Sequence, residues 1–212
     1  MHNNLKYTFL FSVILLLSFS SNAQLKDTNK WKALIGVGLN RPFNNGFVDG
    51  VKAKPQNLPT VTLGIQHMLK RHYGLRLDFG FNRFKNDESS PDFKINYTRL
   101  NAQFIYNPSD YLEFLPTRWQ TFLHLGPGIA FVKPLGGLDK NKQSYPNINF
   151  GLELHYEIND KVSIYTDIAY LYGLTTLEDY TPTLNGLGAF NGNILNLTFG
   201  VAIALSGCQY CN

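Results

Sequence analysis

The sequence predicts an all-β fold: eight antiparallel strands closed into a transmembrane up-and-down β-barrel, with short periplasmic turns and long external loops. Three observations lead there. Eight stretches of roughly ten to fourteen residues alternate apolar and non-apolar side chains, the period of a strand with two different faces. The connections between them alternate long and short, which in an even-stranded barrel returns both ends to the side of the short turns. The non-apolar face is mostly glycine, amide, threonine and alanine, whereas a water-facing surface carries a dense mixture of lysine and glutamate.

The first strand sets Trp31, Ala33, Ile35, Val37 and Leu39 against Lys32, Leu34, Gly36, Gly38 and Asn40. A polar connection from Asn44 to Leu58 follows. The second, from about Pro59 to Lys70, sets Val61, Leu63, Ile65 and Leu69 against Thr62, Gly64 and Gln66. Arg71 and His72 turn the chain into the third, where Tyr73 to Asn82 alternates without a break. After Lys85 to Asp92, rich in turn formers, the fourth strand shows Phe93, Ile95 and Tyr97 and then Leu100, Ala102, Phe104 and Tyr106. Keeping all of these outward requires one slip of parity near Tyr97 and Thr98, which reads as a β-bulge.

The fifth strand offers Trp119, Thr121, Leu123, Leu125, Ile129 and Phe131 against Gln120, His124, Gly126 and Gly128, with Pro127 weakening the ladder. Ile148 to Ile158 and Val162 to Tyr172 form a hairpin across Asn159-Asp160-Lys161, which is turn chemistry. The last strand, Leu195 to Leu205, follows the connection from Thr175 to Asn191. Trp31, Tyr73, Tyr106, Trp119 and Tyr156 all fall at strand ends on the short-turn side, and amphipathic rings suit the headgroup level, so these five read as an aromatic girdle.

Ahead of the strands, Lys6 precedes an apolar run from Tyr7 to Phe19 and then Ser20-Ser21-Asn22-Ala23. The run is too short to span a bilayer as a helix and the small residues suit cleavage after Ala23, so residues 1–23 read as a secretory signal peptide. Residues 24–206 then form one barrel domain and 207–212 a short periplasmic tail. Both termini of the mature chain are expected in the periplasm and the barrel in a bacterial outer membrane.

The charges on the non-apolar face are matched four to four: Lys32, Arg76, Lys94 and Arg99 with Asp78, Glu153, Glu157 and Asp167. Ions confined in a narrow lumen must pair, so this points to a closed, salt-bridged interior, with His124 and His155 completing the set. Two other arrangements compete. A soluble calycin-like periplasmic barrel has the same alternation with the oily face lining a ligand cavity. Glycine-lined walls at Gly36, Gly38, Gly64, Gly126, Gly128 and Gly200 admit a narrow route for water or small ions.

On these strands the chain resembles the small outer-membrane barrels of the OmpA transmembrane-domain type, over Lys30 to Ser206. The resemblance is one of architecture and not of a diagnostic motif, so it implies fold and location and does not carry activity over. It departs from the type in its tail, Gly207-Cys208-Gln209-Tyr210-Cys211-Asn212, where barrels without a following domain commonly end on an aromatic residue.

Chemistry-bearing constellations are few. Cys208 and Cys211 have dithiol spacing, read as a local disulfide in an oxidising compartment, and two thiolates fall short of a structural zinc site. His124, His155, Glu153, Glu157, Asp78 and Asp167 could be imagined as ligands, but buried ionisable groups need partners whatever the function, so no metal or cofactor is expected. The four long connections hold no histidine, which argues against an enzyme. A net charge of +4, with no phosphate-cradling glycine loop and no basic stripe among stacked aromatics, implies no nucleic acid. The last connection, with Leu177, Tyr180, Leu184, Leu187 and Phe190, is apolar enough to read as a surface for a partner, such as a larger outer-membrane complex.

Overall fold

Alternation alone leaves open which strands pair and whether the sheet closes. The computed structural model describes residues 30–175 and 186–205, and in it eight strands join edge to edge into a closed barrel, each antiparallel to its neighbours. They are β1 (Trp31–Pro42), β2 (Asn57–Met68), β3 (Tyr73–Lys85), β4 (Lys94–Tyr106), β5 (Trp119–Pro134), β6 (Gln143–Asn159), β7 (Val162–Gly173) and β8 (Ile194–Ala204). β1 closes on β8, from Lys32 opposite Ala204 to Pro42 opposite Ile194, so every strand has two hydrogen-bonded partners. Residues 1–23, Leu177, Tyr180, Leu184 and the tail 207–212 with Cys208 and Cys211 lie outside the described residues.

The oily rows form the outside. Ile35 and Val37, Ile65, Leu75 and Leu77, Leu100 and Phe104, Leu125, Leu152, Ile168 and Phe199 are all exposed, while Arg76, Asp78, Arg99 and Glu153 are buried. A soluble calycin packs the opposite way, so that arrangement does not hold.

Two expectations for β4 do not hold either. Its register with β3 runs unbroken from Tyr73 opposite Tyr106 to Lys85 opposite Lys94, without a bulge near Tyr97. Phe93, Ile95 and Tyr97 therefore share the inward parity of Arg99 and are buried, and Lys94 is exposed on the outer wall, not in the lumen. The cause is a change of surroundings along the strand: beyond the apolar outer band the wall carries Lys94, Asn96 and Thr98 outward, so the apolar side chains turn inward. The register shifts occur elsewhere, between Gly38 and Asn40 on β1 and between Glu157 and Asn159 on β6. Pro127 has a local effect of the expected kind, for the β4–β5 ladder skips Ala102 and Gln103 opposite it.

Candidate functional site: a lumen packed in layers

The inward side chains stack in four layers. Nearest the short turns, Met68, Ile105 and Phe122 pack together, and the Lys32 ammonium lies 5.4 Å from the centre of the Phe122 ring. Gln120 Nε2 donates to Glu157 Oε1 at 2.5 Å in the same region. A cavity of about 930 Å³ opens toward that end, between these side chains and the β4–β5 connection.

The second layer holds the charges. Arg76 on β3 reaches Glu153 on β6, its Nη1 and Nη2 donating to Oε1 and Oε2 at 2.5 and 2.7 Å, while Nη2 and Nε also donate to Gln66 Oε1 at 2.6 and 3.2 Å. This is a two-pronged pairing, the geometry in which arginine binds carboxylate best. Arg99 Nη1 pairs with Asp78 and donates to Asn101 Oδ1 at 3.2 Å. His124 Nε2 is 3.0 Å from Asp167 Oδ1, and His155 Nε2 is 3.0 Å from Glu153 Oε2, with the His155 ring stacked on Tyr165 at 5.0 Å. Glu153 and Asp167 stand directly opposite one another on β6 and β7, a repulsive placement that is tolerable because Arg76 and the two imidazoles face them.

Above the charges comes a layer of amides. Asn101 Nδ2 donates to Asn147 Oδ1 at 2.7 Å, Asn82 Nδ2 to Asn196 Oδ1 at 3.3 Å, and Asn40 Nδ2 to Thr60 Oγ1 at 3.1 Å. The fourth layer, at the long-loop end, is oily: Phe47, Phe84, Phe93, Ile95, Tyr97, Val132, Tyr145, Leu171, Phe190 and Ile194 form one cluster. Phe47 and Phe190 come from the connections and are seated by a close backbone crossing, where a Cβ on Gly46 or Gly192 would collide with the other glycine.

Of the residues singled out from sequence, Arg76, Asp78, Arg99, Glu153, Asp167, His124 and His155 lie together in the charged layer. Lys32 and Glu157 sit one level nearer the short turns. Lys94 is outside, and with it goes the four-to-four balance, His124 standing in as the partner of Asp167. Trp31, Tyr73, Tyr106, Trp119 and Tyr156 occupy one end of the barrel, with Tyr73 on Tyr106 at 5.4 Å and Trp119 on Tyr156 at 5.1 Å. Phe190 is fully buried and Leu187 packs against the oily cluster, so these two residues of the last connection are turned inward and are not displayed to a partner. Sequence reasoning missed the roles of Gln66 and Tyr165 and the oily cluster. The inverted parity of Phe93, Ile95 and Tyr97 was the signal for the last.

His124, Glu153 and Asp167 offer ligand atoms within 4.8 Å of one another. An ion there would have to displace the guanidinium that already holds both Glu153 oxygens, so this donor set favours the arginine pairing over a metal. Most glycines of the wall stand where a side chain would collide, Gly64 being an exception. A Cβ on Gly36 would meet Thr62 and the Tyr165 hydroxyl, each at 2.7 Å, and one on Gly80 or Gly151 would strike Arg99 or His124. These three make room for large side chains, whereas a Cβ on Gly38 or Gly126 would strike the backbone of the neighbouring strand, and between Arg76, Arg99, His124 and Asp167 there is a void of about 10 Å³, enough for a single water.

A closed eight-stranded barrel with an oily exterior and a polar, charge-paired interior is the fold of the small outer-membrane barrels. Solved structures agree. Neisserial surface protein A aligns over 84% of this chain and 98% of its own, with a TM-score of 0.55 at 13% identity. A major outer membrane protein from Thermus thermophilus gives 0.52 at 13% identity, over 82% and 98% of the two chains. The N-terminal β-barrel domain of OprF from Pseudomonas aeruginosa gives 0.50 at 13% identity, over 81% and 96%. At such identity the likeness is one of fold. No family model matches the chain, and neither does any curated protein sequence.

Proposed function

We propose that the protein is a structural barrel of the bacterial outer membrane, acting by placement and not by turnover, with both termini periplasmic and the long loops external. Lipid contacts its oily rows, and Trp31, Tyr73, Tyr106, Trp119 and Tyr156 are its periplasmic girdle. A larger outer-membrane assembly is the kind of neighbour such a barrel would serve as an accessory. The observation that carries this reading is the plug above the short-turn cavity: charges, amides and the oily cluster succeed one another with a void of about 10 Å³ at the charged level. A narrow channel for water or ions would need that space, and eight strands give an interior that side chains can just fill.

Two measurements test the reading. Cell fractionation with a gel of unboiled and boiled samples should put the chain in the outer membrane, migrating faster when unboiled; recovery in the soluble periplasm would end the membrane reading. Planar bilayers containing the purified barrel should show no single-channel steps. Reproducible steps would replace the closed barrel with the channel, and neutralising Arg76 should then enlarge them.

A further inference from the structure

Lys94 belongs to a patch of charge on the outer wall. A short bridge pairs Ala53, in the β1–β2 connection, with Asn86, and Lys54 N donates to Lys85 O at 2.9 Å, which sets Lys54 opposite Lys85. Lys85 is in turn directly opposite Lys94. Three lysines thus stand side by side on three adjacent segments, all exposed. One row closer to the apolar band, Arg83 on β3, Asn96 on β4 and Lys133 on β5 are aligned by direct pairing, with Arg83 Nε donating to Asn96 Oδ1 at 2.8 Å. The row below that is Phe81, Thr98 and Phe131.

Like charges directly opposite on a sheet repel. Among the described residues no carboxylate pairs with Lys54, Lys85, Lys94, Arg83 or Lys133, for the ion pairs between those residues lie elsewhere. Two of the three acids of the β3–β4 connection are turned to their own loop: Asp87 Oδ1 accepts from the Glu88 amide at 2.8 Å and Asp92 Oδ1 from Asn86 Nδ2 at 3.0 Å, while Glu88 is exposed. Further round the same rim, Ser144, Pro146, Tyr172 and Leu174 are exposed instead at the described ends of β6 and β7.

Height identifies what would cover the patch. From Tyr73 in the girdle to Arg83 is ten residues of one strand, about 33 Å of chain, and with the usual tilt of about 40° it rises about 25 Å, the height of the apolar band of such barrels. The cations therefore begin where acyl chains end and headgroups start, and long basic side chains at that level extend into the headgroup layer.

We propose that Lys54, Lys85 and Lys94, with Arg83 and Lys133 beneath, form a docking surface for the phosphorylated headgroup of an outer-leaflet lipid whose acyl chains lie on Phe81, Phe131 and the oily rows below. The proposal rests on the outer-membrane reading above, with the long-loop end external. The phosphates relieve the repulsion of the lysine row, and the lipid binds on one side of the barrel only.

The test is native mass spectrometry of the full, detergent-folded protein titrated with diphosphoryl lipid A, with phosphatidylcholine as the neutral comparison. Wild type should retain lipid A in preference to phosphatidylcholine, less so as salt is raised. The combined variant Lys54→Gln, Lys85→Gln and Lys94→Gln should retain it at least about tenfold more weakly, given the usual contribution of each basic residue at an anionic surface. A control variant at the other end, Lys30→Gln with Lys70→Gln, should bind as wild type does. Equal retention by the lysine-row variant, no preference over phosphatidylcholine, or an equal loss in the control each overturns the proposal. Unboiled gel mobility monitors folding of every variant, and fractionation tests the membrane reading separately, so the two can fail independently.

Discussion

The middle of the lumen and its long-loop end are the same wall filled in opposite ways. In the middle, Arg76, Glu153, His124 and Asp167 are buried and held by short polar contacts. At the end, Phe47 packs on Phe190 at 4.7 Å and Phe84 on Phe190 at 5.0 Å, an interior like that of a soluble domain. Strand geometry is identical in both, and successive side chains alternate sides throughout. The surroundings differ. Midway along the oily outer band the inner face carries mostly polar residues, and its charges must find partners. Where the outer face carries Lys94, Asn96 and Thr98, the inner face is free to be apolar and to seal by hydrophobic packing.

The sharpest way to break this comparison is at Glu153. Replacing it with alanine strands Arg76 in the charged layer with only Gln66 as a partner. Breaking one side of a buried pair costs about 3–5 kcal/mol. The folded barrel should lose that much stability, read as a lower midpoint of the unboiled-to-boiled mobility shift in urea. A double change of Arg76 and Glu153 to methionine should recover most of it, because no unpaired charge remains. A loss below about 1 kcal/mol for Glu153→Ala would mean that the charged layer does not hold the wall together.

Phe190→Ala probes the other end. Truncating a fully buried phenylalanine costs about 3–5 kcal/mol where the whole structure must unfold to expose it. Loops at a barrel rim can open on their own, however, so much of the loss should appear as local opening. Protease cleavage near 186–193 and amide exchange of Phe43 and Asn191, whose amides bond to Asn193 and Gly46 across this crossing, should quicken, while the global midpoint moves less than for Glu153→Ala. Equal global loss from both variants would show one cooperative interior where two are argued. Combining them should add to within about 0.5 kcal/mol, since the sites share no partner.

How much of this was legible follows from the same contrast. In Tyr73 to Asn82 the outside is lipid-like for the whole run, so alternation alone gives the face of every residue. In β4 the environment changes halfway. Phe93, Ile95 and Tyr97 look like the start of an oily outer face, and only the unbroken register with β3 shows them to be inside. Arg76 and Glu153 were individually recognisable as lumen residues, but their pairing spans 77 positions and depends on how a closed sheet folds across itself. The same holds for Phe190, whose loop looked like a display surface because nothing local records that Gly46 and Gly192 cross.

The smallest effect gives the finest test. Arg99 and Lys94 are cations five positions apart on one strand, with opposite parity. Arg99→Gln leaves Asp78 without its ion pair inside the lumen and should cost several kcal/mol, on the order of the Glu153 change. Lys94→Gln touches only the outer wall and removes one member of a repelling pair, since Lys85 faces it directly. In uncharged detergent that relief is worth about 0.2–1 kcal/mol, so the variant should be as stable as wild type or slightly more so by urea titration. A large loss from Lys94→Gln would return Lys94 to the lumen and remove the inversion of polarity on which the contrast between the two regions depends.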